Sequence, residues 1–252
     1  MLDASMPSLL AEHRPGPLRI LAGKALSLGY RITGRVHYDD FRLEHVLGLP
    51  LLVIPGVANP KVLRTGAFFS ARIDARLVAP GAAVLDMGTG SGVCALFAAR
   101  HARRVVAVDV SPDAVRCTRL NALLNGLEER VDVRQGDLFE PVAGERFDLV
   151  LFNPPFLIGV PQDHRDAAWR SPDAASRFAV GLGQHLAPGG AALVLLSSFG
   201  DACALFEAEL RARGFHLDVF ARRRFINETL TIVRATLDVS RDGRLRAAQQ
   251  LA

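Results

Sequence analysis

The sequence predicts an α/β fold: a seven-stranded, mostly parallel sheet with helices on both faces, ending in an antiparallel C-terminal hairpin and preceded by a short N-terminal extension. Three observations predict it. From about residue 80, short β-branched or Leu-rich runs alternate with helical patterns, as in consecutive βα units. A glycine cluster joins the first of these runs directly to its helix. Near the end of the chain the pattern changes to two long extended runs around a short polar turn, as in a hairpin.

Taken in order, residues 1–75 are expected to form the extension, with a helix near 17–28 followed by extended segments through HYDDFRLEHVLGLPLLVIPGV. The main domain is expected over 76–240. Its parallel strands are AAVLDM (82–87), RVVAVDV (104–110), VDVRQGD (131–137), FDLVLFN (147–153) and AALVLLSS (191–198), most of them bounded by Gly or Pro. Helical patterns cover 91–101, 112–125, 172–186 and about 200–213. FHLDVFARR (215–223) and ETLTIVRATL (228–237) form the hairpin, which makes seven strands with one antiparallel to the rest. The Arg/Ala-rich tail, 241–252, is expected to fray.

Composition supports this plan and excludes others. A chain of 252 residues holds one large α/β domain and a short extension, whereas two full domains would be crowded. Half the residues are apolar and 22% are charged, which supplies a core and argues against disorder away from the ends. No apolar run reaches about eighteen residues, and charges and prolines interrupt the first twenty where a signal peptide would need an apolar stretch. A cytoplasmic location with no membrane partner is therefore expected. Cys94, Cys117 and Cys203 lie far apart without ligand spacing and read as small core hydrophobes. His37, Tyr38, Asp39 and Asp40 have no second His/Cys group at ligand spacing, so a surface turn and no metal are expected. Lys24 and Lys61 are the only lysines, and the net charge of +4 rests on scattered arginines; Arg222, Arg223 and Arg224 suit a solvated turn as well as a phosphate contact.

The first parallel strand runs into Asp86-Met87-Gly88-Thr89-Gly90-Ser91-Gly92, and a helical pattern starts at once. Glycines at such a turn keep it tight and let the backbone approach a ligand without a Cβ in the way. A dinucleotide fingerprint needs Gly-x-Gly-x-x-Gly, but here Val93 stands where the last glycine would fall. Asp86, just before the loop, suits a cationic cofactor with a free amino group and no pyrophosphate. The pattern thus points to S-adenosylmethionine rather than NAD. Asp109, ending the second strand 23 positions later, can accept from both ribose hydroxyls, and Asp137, ending the third, from an adenine amino group. Three acids at three successive strand ends converge on one crevice in an open α/β sheet. Gly88, Thr89, Gly90 and Gly92 in the loop, with Val110 and Leu138 beside the two later acids, complete the cofactor contacts expected on the sheet.

The fourth strand ends in Asn153-Pro154-Pro155-Phe156. Consecutive prolines fix the main chain and remove two amide donors, leaving carbonyls free to accept. An NH₂ group conjugated to a carbonyl or a ring is a poor nucleophile because its lone pair is delocalised. Two acceptors, the Asn153 Oδ1 and the Pro154 carbonyl, can grip its hydrogens and localise density on nitrogen, and Phe156 can lie against a flat substrate. Rate would then come from positioning and preorganised dipoles, with no strong general base evident. Asn153 also faces the cofactor side in this reading.

DMGTGSG, AVDVSPDA, RQGDLF and NPPF, in that order, resemble the class I methyltransferase superfamily, whose fold is a Rossmann-like sheet, and in particular its enzymes with an Asn-Pro-Pro-Tyr/Phe motif. The resemblance covers residues 45–200, and GLPLLVIPGVANPKVLRTGAFFSARI is similar to the hairpin and lead-in helix of two branches, the HemK-like protein glutamine methyltransferases and the small-domain rRNA guanine-N2 methyltransferases. It implies that the lead-in near Arg64 to Phe69 borders the cofactor, with Thr65 the candidate contact. Two features depart from the glutamine branch: Asn59-Pro60-Lys61 replaces its proline-rich run, and Phe156 replaces a tyrosine. Leu157 replaces the histidine that often follows in the guanine branch. The leading reading is a protein glutamine amide as substrate, with an RNA or DNA base next and a small molecule third; a catalytically silent cofactor binder is the reading from a different class. Gly159 to Trp169 is placed to cover substrate, with His164 a solvated loop residue and Trp169 in the core by default.

Overall fold

The computed structural model describes residue 9 and residues 40–163, 165–226 and 228–237. The helix expected near 17–28, the His37 to Asp39 part of the polar cluster, His164 and the tail 241–252 lie outside the described residues. A hairpin, β1 (Arg42–Val46) and β2 (Leu49–Val53), leads through helix α1 (Thr65–Ser70) to β3 (Ala83–Met87). There follow α2 (Val93–Ala99), β4 (Arg104–Asp109), α3 (Pro112–Leu124), β5 (Val131–Gln135) and β6 (Phe147–Phe152). Two short segments, β7 (Leu157–Ile158) and β8 (Arg170–Ser171), pair in parallel before α4 (Ala174–His185), β9 (Leu186–Ser197), α5 (Ala202–Ala212), β10 (Phe215–Arg224) and β11 (Thr229–Leu237).

Seven strands form one sheet in the order β10-β11-β9-β6-β3-β4-β5, and β11 runs antiparallel to both its neighbours while the other pairings are parallel. Because β3 lies between β4 and β6, successive crossovers leave it in opposite directions, and a crevice opens at the carboxyl ends of these strands. Strand alternation divides the core into two layers. Val84, Val105, Ala107, Leu149 and Leu151 share a layer with Leu96 and Phe97 of α2 and Phe69 of α1. Leu85, Val106, Val108, Val150 and Phe152 face Phe178 of α4 and Phe206 of α5. Continuous apolar runs, rather than alternating ones, follow from burial on both faces.

Two elements differ from the sequence expectation. Strand β9 begins at Leu186, five residues before the predicted start, because Leu186 already pairs with Phe147 across a register shift. Gly190 permits this: a Cβ there would stand 2.9 Å from the carbonyl oxygens of Ala187 and Phe147. Strand β10 runs one residue past its expected end and takes in Arg224, so all three arginines at 222–224 stand in the strand and not in a turn, and the Arg222 Nη2 donates to the Leu9 carbonyl at 2.7 Å.

The hairpin β1–β2 is tied to α3 by a buried asparagine. Asn121 accepts from the Leu52 N–H at 2.7 Å and donates to the Leu52 and Ser91 carbonyls at 2.8 and 2.9 Å, so hairpin, helix and glycine loop share one residue. Cys94, Cys117 and Cys203 are all buried, as expected for core residues.

Candidate active site

The crevice holds a cavity of about 480 Å³, within the usual range for a small-molecule site. It is lined from four strand ends by Asp86, Gly88, Thr89, Gly90, Asp109, Val110, Asp137, Leu138, Asn153 and Pro155, and from the lead-in by Thr65. The structure thus brings together most of the residues singled out from the sequence. Gly92, Pro154 and Phe156 are not part of the lining.

The glycine loop explains the first wall. Gly88 and Gly90 have φ of 63° and 57°, a left-handed conformation that disfavours a side chain, and this exposes loop backbone to the cavity. The loop is pinned from below by Asp86, whose Oδ2 accepts from the Thr89 hydroxyl at 2.7 Å and from the Ala95 N–H at 3.0 Å. Burial pushes the Asp86 carboxyl up to about 7, against the lowering effect of those two bonds and with a further rise from the Asp109 charge. Asp109 Oδ2 accepts from the Gly90 N–H and its Oδ1 from the Ser111 N–H, both at 2.9 Å. Burial raises its pKa as well, opposed by those backbone bonds. Each carboxylate therefore holds the loop first; a ligand would add to lone pairs that remain.

Gly92 serves the fold instead of the cavity. It caps α2 at φ 82°, and a Cβ there would lie 2.9 Å from Thr118 Cγ2 on α3. On the other side, Arg64 holds a left-handed φ of 59° as the residue before α1, an uncommon conformation for a residue with a side chain. Gly66 then packs so closely on Pro60 that a Cβ would come within 2.6 Å, and Asn59 closes the preceding turn by accepting from the Lys61 and Val62 N–H groups. This geometry puts Pro60, Leu63 and Thr65 on the cavity wall.

Beyond β6, the Asn153 Oδ1 is buried and has no hydrogen-bond partner among the described residues. Buried side-chain acceptors are nearly always paired, and an unpaired one costs about 1–3 kcal/mol. Pro155 lines the cavity beside it. Phe156 instead packs at the seam between the two core layers, with its carbonyl accepting from the Ala202 N–H at 3.1 Å.

The segment after the tetrapeptide forms a strap, closed where Leu157 and Ile158 pair with Arg170 and Ser171. Pro161, Ala167 and Ala168 of this strap line the cavity from within the segment expected to cover substrate, and Arg170, just beyond it, joins them. Trp169, expected in the core, is only half-buried, and its carbonyl accepts from the Leu157 N–H to close the strap. Arg177 of α4 also lines the cavity and was missed, because no glycine or motif marks it; its Nη1 donates to Asp137 Oδ2 at 2.7 Å. Among the described residues no group of His, Cys, Asp or Glu is arranged to hold a metal ion.

Residues 62–213, which include every strand end of this crevice, match the family model described as the methyltransferase small domain. The chain belongs to this family. It is an S-adenosylmethionine-dependent methyltransferase. This methyltransferase is 35% identical over 226 residues to a ribosomal protein L11 methyltransferase of Pelotomaculum thermopropionicum, covering 83% of this chain and 67% of that one. It is 31% identical to a putative protein N5-glutamine methyltransferase of Methanocaldococcus jannaschii, over 60% of this chain and 80% of that one. In fold it is similar to the T. thermophilus 16S rRNA N2 G1207 methyltransferase solved with AdoMet and guanosine: the TM-score is 0.59 at 22% identity, over 79% of this chain and 50% of that one.

Proposed function

We propose that this methyltransferase modifies a planar nitrogen, with a protein glutamine amide as the first substrate to test. The observation that carries the reading is the buried, unpartnered Asn153 Oδ1 at the cavity wall. An acceptor kept out of water and unpaired is preorganised to receive a donor, and an NH₂ group brings the donors.

Fit to the cofactor rests on the same cavity: a glycine-exposed backbone, two buried acids and a volume of about 480 Å³. S-adenosylmethionine supplies a methyl carried on a sulfonium, already activated for displacement. Thr65, Gly88, Thr89, Gly90, Val110 and Leu138 would enclose the cofactor, Asp86 would face its amino-acid end, Asp109 its ribose and Asp137 its adenine. Asn153 Oδ1 would accept from the target nitrogen and turn its lone pair toward the methyl; Pro154, whose carbonyl the sequence offers as a second acceptor, is buried and outside the cavity lining. The proton released on forming the N–C bond can pass to solvent, so the chain needs no dedicated base. Phe156, at the seam of the core, would fix the direction of the tetrapeptide backbone instead of forming the cavity wall.

The M. jannaschii relative's name supports the glutamine amide. A second reading, a nucleobase amine in RNA, is supported by 39% identity over 107 residues to a ribosomal RNA small subunit methyltransferase C of Alcanivorax borkumensis, over 42% of this chain and 30% of that one. Incubation of methyl-labelled cofactor with cell extract, followed by separation of protein, RNA and small molecules, distinguishes these readings. Label in protein supports the amide; label in RNA, lost steeply as salt rises, supports the base; label only in small molecules or in none overturns both. With the labelled fraction as substrate, Asn153→Ala is expected to lower transfer by about 10²–10³-fold with cofactor affinity unchanged. Full activity in that variant would remove the proposed grip.

A further inference from the structure

We propose that Arg177, paired with Asp137, selects the adenine base of the cofactor by presenting a donor beside an acceptor at one end of the cavity. The inference rests on the reading that Asp137 faces the adenine. The amino group of adenine is a donor and the adjacent ring nitrogen an acceptor. Asp137 Oδ2 and Arg177 Nη1 lie 2.7 Å apart, and both residues line the cavity, so their remaining lone pairs and N–H groups form the complementary pair. Hypoxanthine presents the reverse order, a carbonyl beside an N–H, and mismatches both.

The pair is held in place from two sides. Asp137 sits in a turn fixed by Gly136, where φ is 157° and a Cβ would come within 2.3 Å of Pro141. Arg177 stands next to Phe178, which is fully buried and stacks on Phe139 with ring centroids 5.6 Å apart. Gly181, one turn further along α4, lets the helix approach: a Cβ there would lie 2.4 Å from the Phe139 ring. Phe139 is two residues after Asp137, so one aromatic contact sets helix and turn opposite each other. Leu138 and the half-exposed Val110 supply apolar walls for a flat ring nearby.

A purely structural role accounts poorly for this placement. The two side chains are 41% and 43% exposed, and exposed pairs add little stability. Glu140 at 3.7 Å and Asp173 at 3.8 Å also attract the guanidinium and keep it over this end of the cavity.

The test needs no methyl acceptor. Calorimetric titration of S-adenosylhomocysteine and of its hypoxanthine counterpart, S-inosylhomocysteine, gives the base preference directly for the wild type, Arg177→Ala and Arg177→Gln. Thermal melts confirm that each variant is folded. The wild type is expected to favour the adenine ligand by about tenfold or more, the equivalent of a charge-assisted hydrogen bond. Arg177→Ala should lose part of that preference by weakening the adenine ligand without weakening the hypoxanthine one, Asp137 keeping the rest, and Arg177→Gln, which keeps an N–H donor, should lose less. Equal losses for both ligands, or no loss, would overturn the assignment and leave Arg177 as a surface ion pair. A wild type that binds neither ligand would instead overturn the cofactor reading of the cavity, and this inference with it.

Discussion

The two halves of the crevice satisfy their polar groups in opposite ways. At the ends of β3 and β4, Asp86 and Asp109 are already hydrogen-bonded to the glycine loop and the turn beside it, through the Thr89 hydroxyl and the N–H groups of Ala95, Gly90 and Ser111. At the end of β6, Asn153 Oδ1 is buried with no partner among the described residues. The acidic half is a finished scaffold that holds its own shape before anything binds. The amide half leaves an acceptor open at the cost of stability, which is where a reacting group would be received. The difference separates residues that build the cavity from one that, on the proposed function, would receive the substrate.

Removing a scaffold acid should therefore disrupt shape and binding together. Asp109→Ala deletes the acceptor for two backbone N–H groups, and charge-assisted bonds of this kind contribute about 1.5–3 kcal/mol each. We expect S-adenosylhomocysteine affinity to fall by about 10²-fold and the melting temperature to fall with it. Unchanged affinity would show that Asp109 shapes the turn without serving the ligand, and would break the contrast with Asn153.

Asp86 sharpens the comparison through pH. Its folded-state pKa of about 7 stands above the ordinary carboxyl value of 3.8, so the native state binds a proton more tightly than the unfolded chain does. The stability it contributes is full below about pH 4 and is lost as pH rises to about 7, a span of a few kcal/mol at most. Asp86→Asn should flatten this part of the stability-pH curve in chemical denaturation. Binding of a cationic ligand favours the ionised carboxylate, so wild-type affinity for S-adenosylmethionine should rise with pH through the same window, and the Asn variant should lose that dependence. A variant that keeps the wild-type slope would assign the titration to another group.

The sheet was legible in the sequence because its strands are buried on both faces, leaving apolar runs that helices and turns interrupt. Asp86, Asp109 and Asn153 were legible for a related reason: strand ends in a parallel sheet share one edge, so position in the chain gives position in space. What could not be read were contacts that join distant segments. Arg177 reaches Asp137 from 40 residues away, and Asn121 joins α3 to Leu52 from 69 away. Neither carries a local pattern, since an exposed arginine in a helix and a buried asparagine look ordinary until the partner is placed. Phe156 shows the converse case: a motif residue whose neighbours in the chain suggest the cavity, while the close approach of Gly200, where a Cβ would be 2.1 Å from the Phe156 carbonyl oxygen, turns it into the seam of the core.

Gly92 gives the smallest and most diagnostic effect. The sequence places it with Gly88 and Gly90 as a cofactor residue, but the structure places it at the contact of α2 with α3, outside the cavity lining. Ala at this position must adopt a φ of 82° and push against Thr118 at 2.9 Å, which should cost about 1–2 kcal/mol of stability. Cofactor affinity, measured well below the melting temperature, should change by less than about threefold. In Gly90→Ala the left-handed strain is similar, with φ at 57°, but the added methyl stands on the cavity wall with only the Gly88 carbonyl within 4 Å, so binding should suffer more than folding. If Gly92→Ala weakens binding as much as Gly90→Ala does, the loop acts as a single unit and the division between scaffold and ligand contact must be drawn further along the chain.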